Sequence, residues 1–239
     1  MSAPEPLLDT TTAVGAWTTG TIVEIERTAR LVRLRLVVAD PVDHLPGQHY
    51  AVRLRAEDDY TATRAYSIAS DPGDALLELM VECLPGGEVS GYFHDEARVG
   101  DMVELRGPIG GWFTWNGDVT AVCLGGGSGV VPFVAMLRHA RRLGVTDRLR
   151  VVAVARTLDA LPYAAELDEA GAFIALTREN LDGRVAAPPY VEELQPLVDG
   201  VERGYVCGSV GFASYATRIL GEAGLPAAAI RVEQFGATA

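Results

Sequence analysis

The chain has 239 residues, of which 49% are hydrophobic and 22% are charged, and its formal net charge is −12. This acidic balance argues against nucleic acid and against anionic membrane surfaces as general partners. The sequence lacks an apolar run of about eighteen residues, so no membrane-spanning helix is expected. The length allows one large domain or two modest ones.

Three cysteines, Cys83, Cys123 and Cys207, lie tens of residues apart, which excludes the spacing of a metal or iron–sulfur site. Residues 1–15 have neither the basic start nor the apolar core of a signal peptide, and we expect a flexible tail there. An odd number of cysteines without a secretion signal favours reduced thiols and a cytoplasmic protein.

Residues 16–116 form a β-rich module in this interpretation. Short segments with alternating or apolar side chains predict six strands separated by turn residues, at 21–26, 31–38, 52–55, 64–70, 76–81 and 102–105. Six short strands at fairly regular spacing are typical of a closed antiparallel barrel.

The fourth of these strands carries Arg64, Ala65, Tyr66 and Ser67 in succession. An arginine offers a fork of donors to a phosphate, and a tyrosine offers a flat face to a ring. A serine hydroxyl can donate to or accept from a ring nitrogen. These residues suit a planar ligand that bears phosphate, but they equally suit an ordinary half-buried strand with an exposed arginine.

A glycine pair follows the fifth strand. Gly86 and Gly87 precede Val89 and Ser90, where a short helix is predicted to start. Glycines let backbone N–H groups approach a ligand closely, and the amides of a helix N-terminus attract phosphate. A plain Gly-Gly turn is the alternative.

Residues 117–239 change to strands that alternate with helices, which predicts a doubly wound parallel sheet with its ligands at the carboxyl ends of the strands. The predicted strands are 119–124, 149–155, 172–177, 204–207 and 230–235. The predicted helices are 130–143, 161–169, 189–198 and 212–223.

A glycine loop, 125–129, connects the first of these strands to its helix. It does not fit the pattern G-x-G-x-x-G, and Arg156 and Thr157 stand where an acidic residue would bind NAD. The standard dinucleotide fingerprint is therefore absent. The loop alone indicates either phosphate binding or a tight strand–helix turn.

Taken together and in order, the motifs resemble the ferredoxin–NADP reductase superfamily. Arg-x-Tyr-Ser-x-x-Ser at 64–70 is similar to its flavin signature, and Gly-Gly-x-x-Ser at 86–90 to its pyrophosphate turn. Gly-Gly-Gly-Ser-Gly-Val-Val-Pro at 125–132 is similar to its pyridine-nucleotide loop. Cys207-Gly208 with Phe212 resembles a Cys-Gly-Pro-x-x-Phe element, with Ser209 in place of the usual proline, which implies a less rigid loop.

The resemblance implies an antiparallel flavin-binding β-barrel followed by a parallel-sheet α/β domain for NADP(H). It implies that flavin, FAD rather than FMN, is bound by Arg64, Ala65, Tyr66, Ser67, Gly86, Gly87, Val89 and Ser90. It implies a nucleotide site formed by Gly127, Ser128, Gly129, Pro132, Arg156, Cys207, Gly208 and Phe235. Phe235 has a packing role as its alternative, and Cys207 that of a buried apolar residue.

The residues implied in the chemistry are Ser67 at flavin N5, Cys207 beside the nicotinamide, and Glu233 as polar support near their contact. The implied reaction moves a hydride from NADPH to bound FAD and then electrons to a separate ferredoxin or oxygenase component. Two alternatives are a free-flavin reductase and a non-catalytic flavin electron-transfer subunit. An acidic partner would need an arginine face, for which the candidates are Arg53, Arg55, Arg141, Arg142, Arg148 and Arg150.

The preference for NADPH rests on the segment after the third strand of the second module. Thr177 and Arg178 leave that strand, and Arg184 follows six residues later. This arrangement is similar to the Ser/Thr-Arg pair and downstream basic residue that bind the 2′-phosphate in NADP-specific members. A solvated turn with two incidental arginines is the alternative.

Overall fold

The structure is a computed structural model that describes residues 15–56 and 58–235. The expected flexible tail, apart from Gly15, lies outside these ranges, as do the last residues from Gly236 onward. Over the described ranges, no helix combines the length and the apolar character needed to cross a bilayer.

The first half of the chain forms the predicted antiparallel barrel. Its six strands pair in the order β4-β3-β6-β1-β2-β5. They are β1 (Thr18–Arg27), β2 (Leu31–Val38), β3 (His49–Arg55), β4 (Thr61–Ser67), β5 (Leu77–Glu82) and β6 (Met102–Ile109). An isolated antiparallel bridge between Ile68 and Leu79 joins the end of β4 to β5 and closes the sheet.

Alternation along β2 explains why this segment is a strand. Leu34 and Leu36 are fully buried in the barrel core, and Arg33 and Arg35 point outward between them. Successive side chains of a strand face opposite sides, so one face joins the core and the other meets solvent. The outward arginines pair with acidic side chains of the neighbouring strands.

The fourth strand differs from its predicted bounds of 64–70, because it starts at Thr61 and ends at Ser67. Its pairing with β3 stops at Ser67, opposite His49. Beyond that point the Ile68 N–H donates to the Gln48 carbonyl, and the Ala69 N–H donates to the Glu78 carbonyl on β5. The backbone thus leaves β3 for β5, which ends the regular strand.

The second half is the predicted doubly wound parallel sheet, in the order β11-β10-β7-β8-β9. Its strands are β7 (Ala121–Gly126), β8 (Leu149–Ala155), β9 (Phe173–Leu176), β10 (Arg203–Ser209) and β11 (Ile230–Phe235). With α1 (Glu88–Gly91) in the barrel module, the α-helices continue as α2 (Val131–Leu143), α3 (Ala164–Glu169), α4 (Val191–Val198) and α5 (Val210–Glu222).

The two faces of this sheet bury alternate residues against different helices. Cys123 belongs to the core under α2 and α3, whereas its neighbour Val122 belongs to the core under α4 and α5. From β7 the strands are added first on one side, as β8 and β9, and then on the other side, as β10 and β11. The order of strand addition therefore reverses between the neighbours β7 and β10. Such a switch point opens a crevice at the carboxyl ends of the two strands.

Two helices start two or three residues later than predicted, and the cause is local in both cases. The helix predicted from 161 starts at Ala164, because Tyr163 before it adopts a left-handed conformation with a φ of 58°. The helix predicted from 189 starts at Val191. Pro188 and Pro189 precede it, and the residue before a proline disfavours helical geometry.

Candidate functional site

The crevice of the parallel sheet is lined by the glycine loop and the end of β10. Cys207 on β10 lies opposite Gly125 on β7. A Cβ on Gly129 would lie 2.2 Å from the Cys207 carbonyl oxygen, so only glycine fits at this approach. The loop, with Gly127 at a φ of 56°, leads into α2, whose first turn contains Pro132.

Phe212 explains two further glycines at this edge. Its ring would lie 2.6 Å from a Cβ on Gly126 and 2.7 Å from one on Gly208. The α5 helix that carries Phe212 begins beyond Ser209, whose hydroxyl accepts a hydrogen bond from the Phe212 N–H at 3.3 Å. Serine thus replaces the usual proline with a helix N-cap, which fixes the start of α5.

Ser67 presents an unpaired polar atom on the barrel side. Only 5% of the residue is exposed, and its hydroxyl has no hydrogen-bond partner within the described residues. A buried polar group left unpaired costs about 1–3 kcal/mol. The preceding residue, Tyr66, packs edge-on against Phe93 at a ring-centroid distance of 6.4 Å, and burial raises the pKa of its phenol. An unpaired, buried hydroxyl beside the neutral phenol ring of Tyr66 fits a bound flavin.

The turn at Gly86 and Gly87 offers backbone rather than side chains to a ligand. Gly86 has a φ of 72°, and Gly87 caps α1. The Ser90 hydroxyl is held inside the turn, where it accepts from the Leu84 N–H and donates to the Gly87 carbonyl, both at 3.3 Å. Val89 is buried in the barrel core. Only the main-chain N–H groups of Val89 and its neighbours can therefore meet a phosphate here.

Arg64 and Ala65 occupy exposed positions on β4. The Arg64 guanidinium donates to the carbonyl of the adjacent Thr63 at 2.7 Å and makes no ion pair within the residues described. Its side chain is therefore available to an anionic ligand.

A direct polar contact joins the glycine loop to the barrel. The Ser128 hydroxyl donates to a carboxylate oxygen of Glu82, at the end of β5, over 2.9 Å. Glu82 is a site residue that sequence reasoning missed. The partners are 46 positions apart, and an acidic residue at a strand end carries no signal of such a contact.

Cys207 and Glu233 are neighbours across the pairing of β10 with β11. Cys207 is fully buried, and burial raises the pKa of its thiol well above the usual range. The sulfur therefore stays protonated, which excludes a thiolate nucleophile. Burial also raises the pKa of Glu233, to about 7. Phe235 lies opposite Ser209 and packs against the core.

The arginines at the other end of the crevice divide into two groups. Arg156 follows β8, and its carbonyl accepts a hydrogen bond from the Arg178 N–H at 2.9 Å. Both side chains are exposed and, in the described part of the chain, unpaired. Thr177, between them and β9, is half-buried.

Arg184 is instead fully engaged in its own loop. Two of its guanidinium nitrogens bind the Glu193 carboxylate at 2.8 and 3.0 Å, and a third donates to the Ala187 carbonyl. The structure thus brings Arg156 and Arg178 together and holds Arg184 in a separate contact.

The six arginines considered for a docking face all have partners within the fold. Each is engaged locally, as Arg53–Glu104, Arg55–Asp59, Arg141–Glu166, Arg142–Asp71, Arg148 to the Gly117 carbonyl, and Arg150 to the Asp199 carbonyl. Carboxylates and carbonyls of the fold thus bind all six side chains, and an arginine face for an acidic partner stays a prediction.

Comparison with known proteins gives a family match for the first module. Residues 20–114 match the oxidoreductase FAD-binding domain. The reductase component, ferredoxin–NAD(P)(+), of naphthalene 1,2-dioxygenase/salicylate 5-hydroxylase systems from Ralstonia sp. is 35% identical over 136 residues, covering 55% of this chain and 40% of that relative. The chain spans about half the length of the curated relatives it matches.

Two solved structures share the fold over nearly their whole length. The FAD/NAD-binding domain of nitric oxide dioxygenase from Vibrio cholerae O1 biovar El Tor has a TM-score of 0.81 at 24% identity, covering 92% of this chain and 98% of that one. A ferredoxin NADP+ reductase from Neisseria gonorrhoeae, with bound FAD and NADP, has a TM-score of 0.75 at 18% identity, covering 91% and 98%. Residues 20–114 thus match the oxidoreductase FAD-binding domain, and the chain as a whole has the fold of these two flavin- and nucleotide-binding structures.

Proposed function

We propose that the chain is an FAD-containing reductase that takes a hydride from NADPH and delivers electrons to a separate ferredoxin or oxygenase component. The observation that carries this proposal is the buried, unpaired hydroxyl of Ser67, on the barrel whose residues 20–114 match an FAD-binding domain. The relative from Ralstonia, a reductase component of oxygenase systems, supports the kind of acceptor. The three free cysteines fit the cytoplasmic location that we propose with it.

In this proposal residues 16–116 bind the flavin and residues 117–239 bind the nucleotide. FAD would supply the redox chemistry, and the protein binding, orientation and electrostatics. The Ser67 hydroxyl would bond a ring nitrogen, and Tyr66 would hold the ring plane. Arg64 and the N–H groups after Gly87 would neutralise the phosphates, since a guanidinium fork and oriented amides both favour anions.

The nucleotide residues would act mainly through shape. Because Gly129 has no side chain, the loop packs directly on the backbone of Cys207 and Gly208. A nicotinamide ring could then approach the end of β10. Cys207 would form an uncharged floor beneath that ring, because burial keeps its thiol protonated. Ser128 would exchange its bond to Glu82 for one to the nucleotide. Such a site accelerates the reaction mainly because it holds the reactants close together and correctly oriented.

The proposal is tested on the purified protein under anaerobic conditions. We expect a yellow protein whose colour NADPH bleaches, and heat release should yield FAD. A colourless protein that only reduces added flavin would establish the free-flavin reductase instead. A yellow protein that dithionite reduces and neither NADPH nor NADH reduces would establish the electron-transfer subunit.

Replacing Cys207 by Ala should slow flavin reduction by NADPH about threefold to tenfold, equivalent to roughly 1 kcal/mol, while flavin stays bound. Alanine lacks the sulfur atom that would contact the nicotinamide ring, and the substitution leaves the flavin-binding barrel unchanged. Stopped-flow absorbance measures the rate. Cys123→Ala is the matched control, because Cys123 is equally buried but its sulfur lies against Met136 at 3.8 Å. Equal rates for Cys207→Ala and wild type would assign Cys207 to packing.

The affinity for NADP+ should rise between pH 6 and pH 8, because Glu233 changes from mostly neutral to mostly ionised around its pKa of about 7. An ionised carboxylate attracts the cationic ring of the oxidised nicotinamide. We expect a gain of roughly threefold to tenfold, or about 1 kcal/mol, that depends on this side chain.

Glu233→Gln supplies the baseline for that titration, since the 2′-phosphate itself titrates near pH 6. Fluorescence titrations of both proteins at three pH values give the comparison. Parallel pH profiles for the two proteins would remove Glu233 from the nicotinamide site.

A further inference from the structure

A cluster of polar side chains with Arg138 at its centre joins the barrel to α2. One guanidinium nitrogen of Arg138 donates to the Ala69 carbonyl at 3.0 Å and to the Glu78 carboxylate at 2.9 Å. The other two bind the Glu166 carboxylate in a fork, at 3.0 and 2.8 Å. A single side chain of α2 therefore binds both the barrel and α3.

Glu78 supplies the barrel's half of this contact. Only 4% of the residue is exposed, yet four partners surround its carboxylate. The two closest come from the second module, the Tyr163 hydroxyl at 2.7 Å and Arg138. Arg33 and Arg35 on the barrel lie at 3.4 and 3.7 Å. A buried charge is tolerated only with such partners, so the contact between the modules is specific in geometry.

The cluster connects the two segments that carry the halves of the candidate site. Ala69, which Arg138 holds, is two residues after Ser67. On the other side, α2 starts at Val131 immediately after the glycine loop. Arg138 lies seven positions after Val131 on the same helix, a rigid separation of about 10 Å. A displacement of α2 would therefore move the glycine loop relative to Ser67.

The adjacent turn repeats the arrangement and strengthens it. Asp71, four residues after Ser67, is buried and receives the Arg142 guanidinium from the last turn of α2. The ring of His139 lies 3.0 Å from the other oxygen of the same carboxylate. The segment that follows Ser67 is thus attached to α2 at two places.

We propose that Arg138 is a positioning residue for hydride transfer, which sets the distance between the nicotinamide loop on α2 and Ser67 on the barrel. This inference rests on the proposed function, since it needs a nicotinamide and a flavin on those two elements. Arg138 touches neither cofactor site and acts only through the backbone at Ala69 and through Glu78.

The test compares Arg138→Gln and Arg138→Lys with the wild-type flavoprotein. Lysine keeps a positive charge beside Glu78 but cannot form the two-nitrogen contact to Glu166. The lysine variant therefore still gives a folded protein for the test if the glutamine variant does not fold. We expect both variants to keep their flavin and their rate of reduction by dithionite. Flavin reduction at saturating NADPH should slow by roughly tenfold to a hundredfold, the size of effect that a displacement of about 1 Å produces.

Hydrogen–deuterium exchange gives a readout independent of turnover. In both variants the amides of 68–71 and of 127–131 should exchange faster together, with and without flavin. Arg141→Gln is the matched control, because Arg141 lies on the same helix and binds the same Glu166 but makes no contact with Ala69 or Glu78. We expect wild-type behaviour from it in both measurements.

The outcomes separate this inference from the proposed function. A wild-type protein that NADPH does not reduce overturns the proposed function and with it the positioning role. A wild-type protein that NADPH reduces, with Arg138→Lys reduced equally fast, overturns the positioning role alone. Equal slowing by Arg141→Gln would also overturn it, because α3 packing would then be responsible.

Discussion

Arg178→Ala is expected to lower kcat/KM for NADPH by about tenfold to a hundredfold and to leave NADH almost unchanged. The 2′-phosphate carries nearly two negative charges and three strong acceptors. Arg178 and Arg156 present unpaired guanidinium groups from adjacent strand ends, within the residues that the structure describes. Losing one charge-assisted hydrogen bond costs about 1.5–3 kcal/mol, which corresponds to the expected tenfold to hundredfold loss in kcat/KM.

The matched control is Arg184→Ala. Because the Arg184 guanidinium is occupied by Glu193 and by loop carbonyls, its loss should reduce stability and leave the ratio of NADPH to NADH efficiency in place. Steady-state kinetics with both nucleotides measures this ratio. A wild-type protein that prefers NADH, or equal losses for both nucleotides in Arg178→Ala, would reject the phosphate site.

Gly129→Ala should reduce the rate of flavin reduction by NADPH by about a hundredfold, the effect of a displacement of roughly 1 Å at a reacting centre. The added Cβ would lie 2.2 Å from the Cys207 carbonyl oxygen and 2.9 Å from the Gly208 Cα. Both neighbours are backbone, so the glycine loop or the end of β10 has to move. Overpacking of this kind costs about 1–3 kcal/mol of stability.

Gly211→Ala is the control for that substitution. It lies in the first turn of α5 near the same sheet edge, and an added Cβ meets no atom within 4 Å. Alanine in a helix should even stabilise it, by about 0.5–1 kcal/mol. Stopped-flow reduction and thermal unfolding of both variants test the pair. A wild-type rate in Gly129→Ala would show that the loop is not held against β10 as the structure places it.

The strands and helices were largely predictable because they depend on local pattern. The alternation of Leu34 and Leu36 with outward arginines predicts a half-buried strand, and the apolar run at 119–124 predicts a buried parallel one. The start of β4 at Thr61 was missed, since pairing with β3 decides it and no signal in the segment itself does. The same holds for its end at Ser67, where contacts to Gln48 and Glu78 redirect the backbone.

The polar contacts of the site were less predictable than the motifs. The bond from Ser128 to Glu82 and the fork from Arg138 to Glu166 join positions 46 and 28 residues apart. A sequence pattern lists donors and acceptors without saying which of them meet. For that reason the contact of Arg184, a predicted phosphate ligand, with Glu193 nine positions later was not foreseen.

The buried carboxylate of Glu78 also limits how modular this protein is. Exchanging residues 117–239 for the equivalent half of another protein of this fold would keep Glu78, Arg33 and Arg35 but remove the two closest partners of Glu78, Arg138 and Tyr163. Removing one partner of a buried ion pair costs about 3–5 kcal/mol. A chimera would therefore fold well only if the donor half brings an arginine and a tyrosine at these positions, or if Glu78 is replaced at the same time.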